Sequence, residues 1–140
     1  MHVRAAKNIA PLSAQLSLSN TFAALPPEFY TKLNPKPIST PYLVDASTSA
    51  AALIGLDPAI FSSQDFVETF SGNRLLNGSQ PLAAVYSGHQ FGQWAGQLGD
   101  GRAILLGDVP AQNGGAGRIE LQMKGAGITP YSRMGDGRAV

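Results

Sequence analysis

The sequence predicts an α+β fold in two unlike parts: an extended segment with short helices, then a small antiparallel sheet with a glycine-rich hairpin. Three observations carry this reading. Seven of the ten prolines precede Pro81, whereas 13 of the 16 glycines lie between Gly88 and Gly137, so the two parts are built differently. Ile119, Leu121 and Met123 alternate with Glu120, Gln122 and Lys124, the period of two that turns one face of a strand to a core. A chain of 140 residues can also be one domain, burying roughly 68% of its unfolded surface.

The opening stretch, "MHVRAAKNIAPLSAQLSLSN", carries Arg4 and Lys7, several serines and no acid, which gives it a faint organelle-transit character. It has no long apolar stretch, so a secretory leader is not expected, and residues 1–18 read as a flexible tail. Residues 19–80 follow as an extended segment and two short helices. "LPPEFYTKLNPKPISTPYLV" holds too many prolines for a helix or a central strand and reads as a segment pinned across a surface. "STSAAALIGLDP" supplies a serine cap, an Ala/Leu helix, and Gly55 as the stop before Pro58. In "SSQDFVETFSGN", Ser63 caps a second helix, Phe66, Val67 and Phe70 form its apolar stripe, and Gly72 ends it.

Residues 81–140 read as strands. "AAVYSGHQFGQWAGQ" mixes aromatic residues with glycines, as in a strand that bulges or meets another backbone closely. "LGDG" holds the Asp-Gly pair favoured in hairpin turns, where both central residues take positive φ. The apolar "RAILLGDV", the loop "PAQNGGAG" and the alternating "RIELQMKGAG" complete the set, with Lys124 ending the last strand on its polar face.

Composition excludes several classes of function. The net charge is +1 with no run of Lys or Arg, which argues against nucleic-acid binding. There are no cysteines, hence no disulfide, thiolate metal site or cysteine nucleophile, a usage that fits a reducing compartment. His2 and His89 are the only histidines, and no metal-binding cluster is visible. No apolar run approaches the ~20 residues of a membrane helix. The location expected is therefore the cytoplasm, with a mitochondrial leader as the alternative.

A hairpin with glycine-rich flanks, a loop, and a further strand delivering a lysine is also how a kinase-like small lobe holds ATP phosphates. Backbone without Cβ atoms can approach phosphate oxygens, and a lysine adds a mobile charge. The Walker G-x-x-x-x-G-K-[ST] is absent, and "GDGRAI" has isoleucine where the kinase loop has its third glycine. Taken by themselves, the Asp-Gly pair also reads as a plain turn and Lys124 as a solvated edge charge.

From "NTFAALPPEFYTKLNPKPISTPYLV" through "GHQFGQWAGQLGDGRA" to "LQMKGAGITPYSRMGDGRAV", residues 19 to 140 closely resemble the N-terminal part of the selenoprotein O family. The resemblance implies a kinase-like fold, with residues 81–140 as a partial small lobe that stops at Val140. It also implies a protein adenylyltransferase that binds ATP in a flipped orientation, transfers AMP to Ser, Thr or Tyr hydroxyls of protein substrates, and releases pyrophosphate. Matched position by position, the nucleotide contacts are Gly99, Gly101, Arg102, Lys124, Asp136 and Gly137. Arg102 and Lys124 would neutralise phosphate oxygens, the glycines would admit the nucleotide, and Asp136 would accept a hydrogen bond or hold a basic neighbour. The plain alternatives are a surface charge for Arg102, a turn residue for Asp136 and an ion-pair partner for Arg138.

The same resemblance places the glutamate partner of the lysine, further arginines, the aspartate base and the Mg²⁺ ligands beyond Val140. No catalytic or metal-binding residue is therefore expected within these 140 residues, which are predicted inactive alone. The competing reading is a non-catalytic glycine-rich β-hairpin module for protein contact or simple nucleotide binding. "GDGRA" occurs twice, at Gly99–Ala103 and Gly135–Ala139, but the residues before each copy differ, so it is no duplicated unit. The copies flank Lys124, and the resemblance assigns both to one ATP.

Overall fold

A computed structural model describes residues 9–139. Three short α-helices, α1 (Leu12–Gln15), α2 (Thr48–Leu53) and α3 (Gln64–Phe70), accompany five strands. These are β1 (Tyr30–Lys32), β2 (Leu82–Gln90), β3 (Gln93–Gly99), β4 (Ala103–Pro110) and β5 (Arg118–Lys124). All pairings are antiparallel; the sheet runs β1-β2-β4-β5, and β3 pairs with β2. The expected α+β class with an antiparallel sheet is what is observed.

Both expected helices form with the expected caps. Ser47 accepts from the Ala50 N–H at 3.2 Å and Ser63 from the Phe66 N–H at 3.1 Å, each satisfying a first-turn donor that has no partner inside its helix. Gly55 and Gly72 take positive φ just after the helices, where a side chain would be strained. Phe66 is buried in the core and stacks at a tilt on Phe61 and Phe70.

The helices cover one face of β4 and β5. Ile104, Leu106 and Val109 of β4 join Leu56, Ile60, Phe66 and Leu76 in the buried cluster, with Ile119, Leu121 and Met123 of β5 packed against it. The alternation read from β5 holds: Glu120, Gln122 and Lys124 are exposed on the opposite face.

Two expectations are corrected. Residues 1–18 were expected to be a flexible tail; residues 1–8 lie outside the described residues, but Leu12, Leu16 and Leu18 are buried members of the core. Their spacing places apolar side chains on the helices and β4, and burying them offsets the entropy of ordering the segment. Backbone and side chain both hold it: Ser19 exchanges N–H to carbonyl bonds with Asp108 at 3.0 and 2.6 Å, and its hydroxyl donates to the Asp108 carboxylate at 3.0 Å.

The hairpin turn also lies elsewhere. The stretch read as one strand from Ala83 to Gln97 reverses at Phe91 and Gly92, whose φ values of 50° and 78° match the primed turns that suit strand twist. β3 and β4 both run antiparallel to β2, so they run in the same direction and the chain does not reverse at Asp100–Gly101. Instead, residues 100–102 interrupt a ladder along β2. The Asp100 N–H donates to the Ala84 carbonyl at 2.9 Å, and its carboxylate accepts from the Ala84 N–H at 3.2 Å, replacing a backbone acceptor.

Candidate functional site

The first "GDGRA" opens where β3 gives way to β4, and Lys124 ends β5 beside it. Ala103 pairs with Lys124, and the Gly125 N–H donates to the Arg102 carbonyl at 2.6 Å. From Gly125 the chain turns back, and residues 128–138 fold against the first loop. This second segment is fastened by hydroxyls. Thr129 donates to the Asp100 carbonyl at 2.6 Å, and Ser132 donates to the Gly101 carbonyl. The hydroxyls of Tyr131 and Thr31 share a hydrogen bond at 2.6 Å, which ties the segment to β1.

The glycines of the first loop are required by this fastening. A Cβ on Gly99 would lie 2.4 Å from the Tyr131 ring and 2.8 Å from the Ala84 carbonyl oxygen, and one on Gly101 would lie 2.9 Å from the Tyr131 carbonyl oxygen. In the second copy, Gly137 has φ of 72° and a Cβ there would lie 2.1 Å from the Gly127 backbone. The two copies thus play different parts: one breaks a strand ladder, the other closes a left-handed turn.

Between them is an open cleft of about 620 Å³. Gly99, Gly101, Arg102, Asp136 and Gly137 all line it, so five of the six residues singled out from the sequence meet at one surface. Lys124 is exposed at the end of β5 and is not among the lining residues. The sequence reading missed Tyr86, Tyr131 and Arg133 as further lining residues and read Arg138, which also lines the cleft, as an ion-pair partner. The signal available for Tyr131 and Arg133 was their position in "GITPYSRMGDGRAV", between a strand end and a glycine turn.

Charge in the cleft is unbalanced toward cations, with Arg102, Arg133 and Arg138 against Asp136. The Asp136 carboxylate accepts from the Arg138 N–H at 2.9 Å, the short-range bond of an Asx turn, so the turn role is observed. The Arg138 guanidinium reaches the Gly125 carbonyl at 3.5 Å. Among the described residues, no hydrogen bond or ion pair holds the side chains of Arg102, Arg133 or Lys124. Burial and the neighbouring Asp100 carboxylate, which also accepts its hydrogen bond, raise the Tyr86 phenol above its ordinary value. A concave surface of unpaired guanidinium groups, glycine backbone and an aromatic ring suits an anionic, partly aromatic ligand.

Mg²⁺ finds no such fit here. The cleft lining carries one carboxylate, Asp136, beside Arg102, Arg133 and Arg138. Among the described residues, no three His, Cys, Asp or Glu side chains are grouped to hold a metal ion. Among them also, no helix is long and apolar enough to cross a membrane.

Residues 13–140 match the family model described as protein adenylyltransferase SelO. Over 126 residues the chain is 69% identical to a protein nucleotidyltransferase YdiU of Herminiimonas arsenicoxydans, covering 89% of this chain and 25% of that protein. It is 66% identical over 125 residues to the protein of the same name from Bordetella parapertussis, with the same coverage. With that of Albidiferax ferrireducens it shares 53% identity over 136 residues, 97% of this chain and 26% of the relative. The chain spans about a quarter of the length of these relatives.

Proposed function

Because the chain belongs to the SelO family of protein adenylyltransferases, we propose that it forms the ATP-binding part of an enzyme that transfers AMP to hydroxyl groups of proteins. In this reading ATP is the substrate, the hydroxyl belongs to Ser, Thr or Tyr, and pyrophosphate leaves. The observation that carries it is the convergence of Gly99, Gly101, Arg102, Asp136 and Gly137 on one cationic cleft. These residues lie on two loops more than 30 positions apart in the chain.

Arg102 supplies planar paired donors to phosphate oxygens and Lys124, at the adjoining strand end, a mobile charge. Gly99 and Gly101 act indirectly, by admitting Tyr131 and so bringing the second loop against the first. Asp136 fixes the turn that presents Gly137 and Arg138. The fold is read as kinase-like in its sheet, hairpin and strand-end lysine. Metal-assisted charge stabilisation requires carboxylates other than Asp100 and Asp136, and the 140 residues by themselves are inactive in this reading.

Titration with ATP in a protein of the relatives' length that contains these residues is the direct test. Arg102→Ala and Lys124→Ala should each weaken binding about tenfold, the scale of a lost charge-assisted hydrogen bond. Unchanged affinity in both variants would remove the proposed phosphate site.

A further inference from the structure

We infer that Arg133 is a further phosphate-binding residue of this cleft and makes it selective for a polyphosphate chain over a single phosphate; the inference rests on reading the cleft as an ATP site. Arg133 lines the cleft with Arg102 and Arg138 but lies outside both copies of "GDGRA". Its backbone has φ of 57°, in the left-handed region that glycine and asparagine occupy readily and other residues seldom do. Four described residues other than glycine share that sign, Thr40, Phe91, Asn113 and Arg133, and only Arg133 faces the cleft.

The conformation is imposed by neighbours. Ser132, the residue before it, accepts from the Thr129 N–H at 2.8 Å and donates to the Gly101 carbonyl, while the Gly135 N–H donates to the Ser132 carbonyl at 2.9 Å. The segment therefore holds an unfavourable backbone at a residue whose guanidinium has no protein partner among the described residues. Strain retained at a cleft, under a charge left unpaired, marks a side chain kept for a ligand. Three arginines against one carboxylate exceed what a single phosphate needs and match the several charges of a di- or triphosphate.

The test is a titration series, on a protein of the relatives' length that contains these residues, with ATP, ADP, AMP and inorganic tripolyphosphate at one salt concentration. Arg133→Asn removes the charge but tolerates the left-handed backbone, Arg133→Gly does the same if the first variant folds poorly, and Arg133→Lys keeps a charge. Arg133→Asn should weaken ATP and tripolyphosphate about tenfold and AMP less than about twofold, with partial recovery in Arg133→Lys. Equal weakening of ATP and AMP would assign Arg133 a loop-shaping role and overturn the inference, as would unchanged ATP affinity. A wild-type protein that binds neither ATP nor tripolyphosphate would instead overturn the reading of the cleft, and the inference with it.

Discussion

Asp108 sits in the middle of β4 at 1% exposure, paired with Arg118. Burial alone would raise its carboxyl, but the Thr21 N–H and hydroxyl, Arg118 and Ser19 all donate to it and hold it well below the usual carboxylate range. A depressed value stabilises the fold fully above the unfolded value, near pH 4. That contribution is lost as pH falls from there through the folded-state value. Asp108→Asn should lower unfolding free energy by about 3 kcal/mol at neutral pH. Denaturant melts should also show less loss on acidification than in the wild type. Gly99→Ala belongs to the same scale: with 2.4 Å to the Tyr131 ring, it should cost about 1–3 kcal/mol and loosen the second loop. A midpoint unchanged in denaturant would remove that account. Neither role was legible in the sequence, where Asp108 interrupts an apolar run and its partner Thr21 lies 87 positions away.

Among the elements, the helices were the most legible, because their limits depend on residues within a turn of each end. Ser63→Ala removes the acceptor for the Phe66 N–H and should cost about 1 kcal/mol, measured by thermal or denaturant unfolding. The hairpin was misplaced for an equally local reason. Asp-Gly is the commoner turn signal, but Phe91-Gly92 is where the chain reverses, with a fully exposed phenylalanine at positive φ. Phe91→Asn should therefore stabilise the hairpin by about 0.5–1 kcal/mol, since asparagine tolerates that backbone. A loss of stability on that substitution would argue for a contact made by the ring. At Asp100–Gly101 the choice between turn and interrupted ladder depended on how β3 and β4 align with β2, information no pentapeptide contains.

For the whole molecule, the prediction concerns chemistry divided along the chain. With labelled ATP, Mg²⁺ and an acceptor protein, the 140 residues alone should transfer no label and a protein of the relatives' length that contains them should label its acceptor. Label transferred by the short chain would overturn the division of labour proposed here. By itself the sequence determined the α+β class, both helix caps and the alternation of β5, because each follows from chemistry among near neighbours. It also picked out five residues of the cleft through the family resemblance. Only the tertiary structure decided that Leu12, Leu16 and Leu18 enter the core, that the chain reverses at Phe91, and that Tyr131, Thr129 and Ser132 bring the two glycine loops together. The joining of the two loops rests on close approach between groups 29 to 100 positions apart, where packing space and unpaired polar groups, not local preference, select the partner.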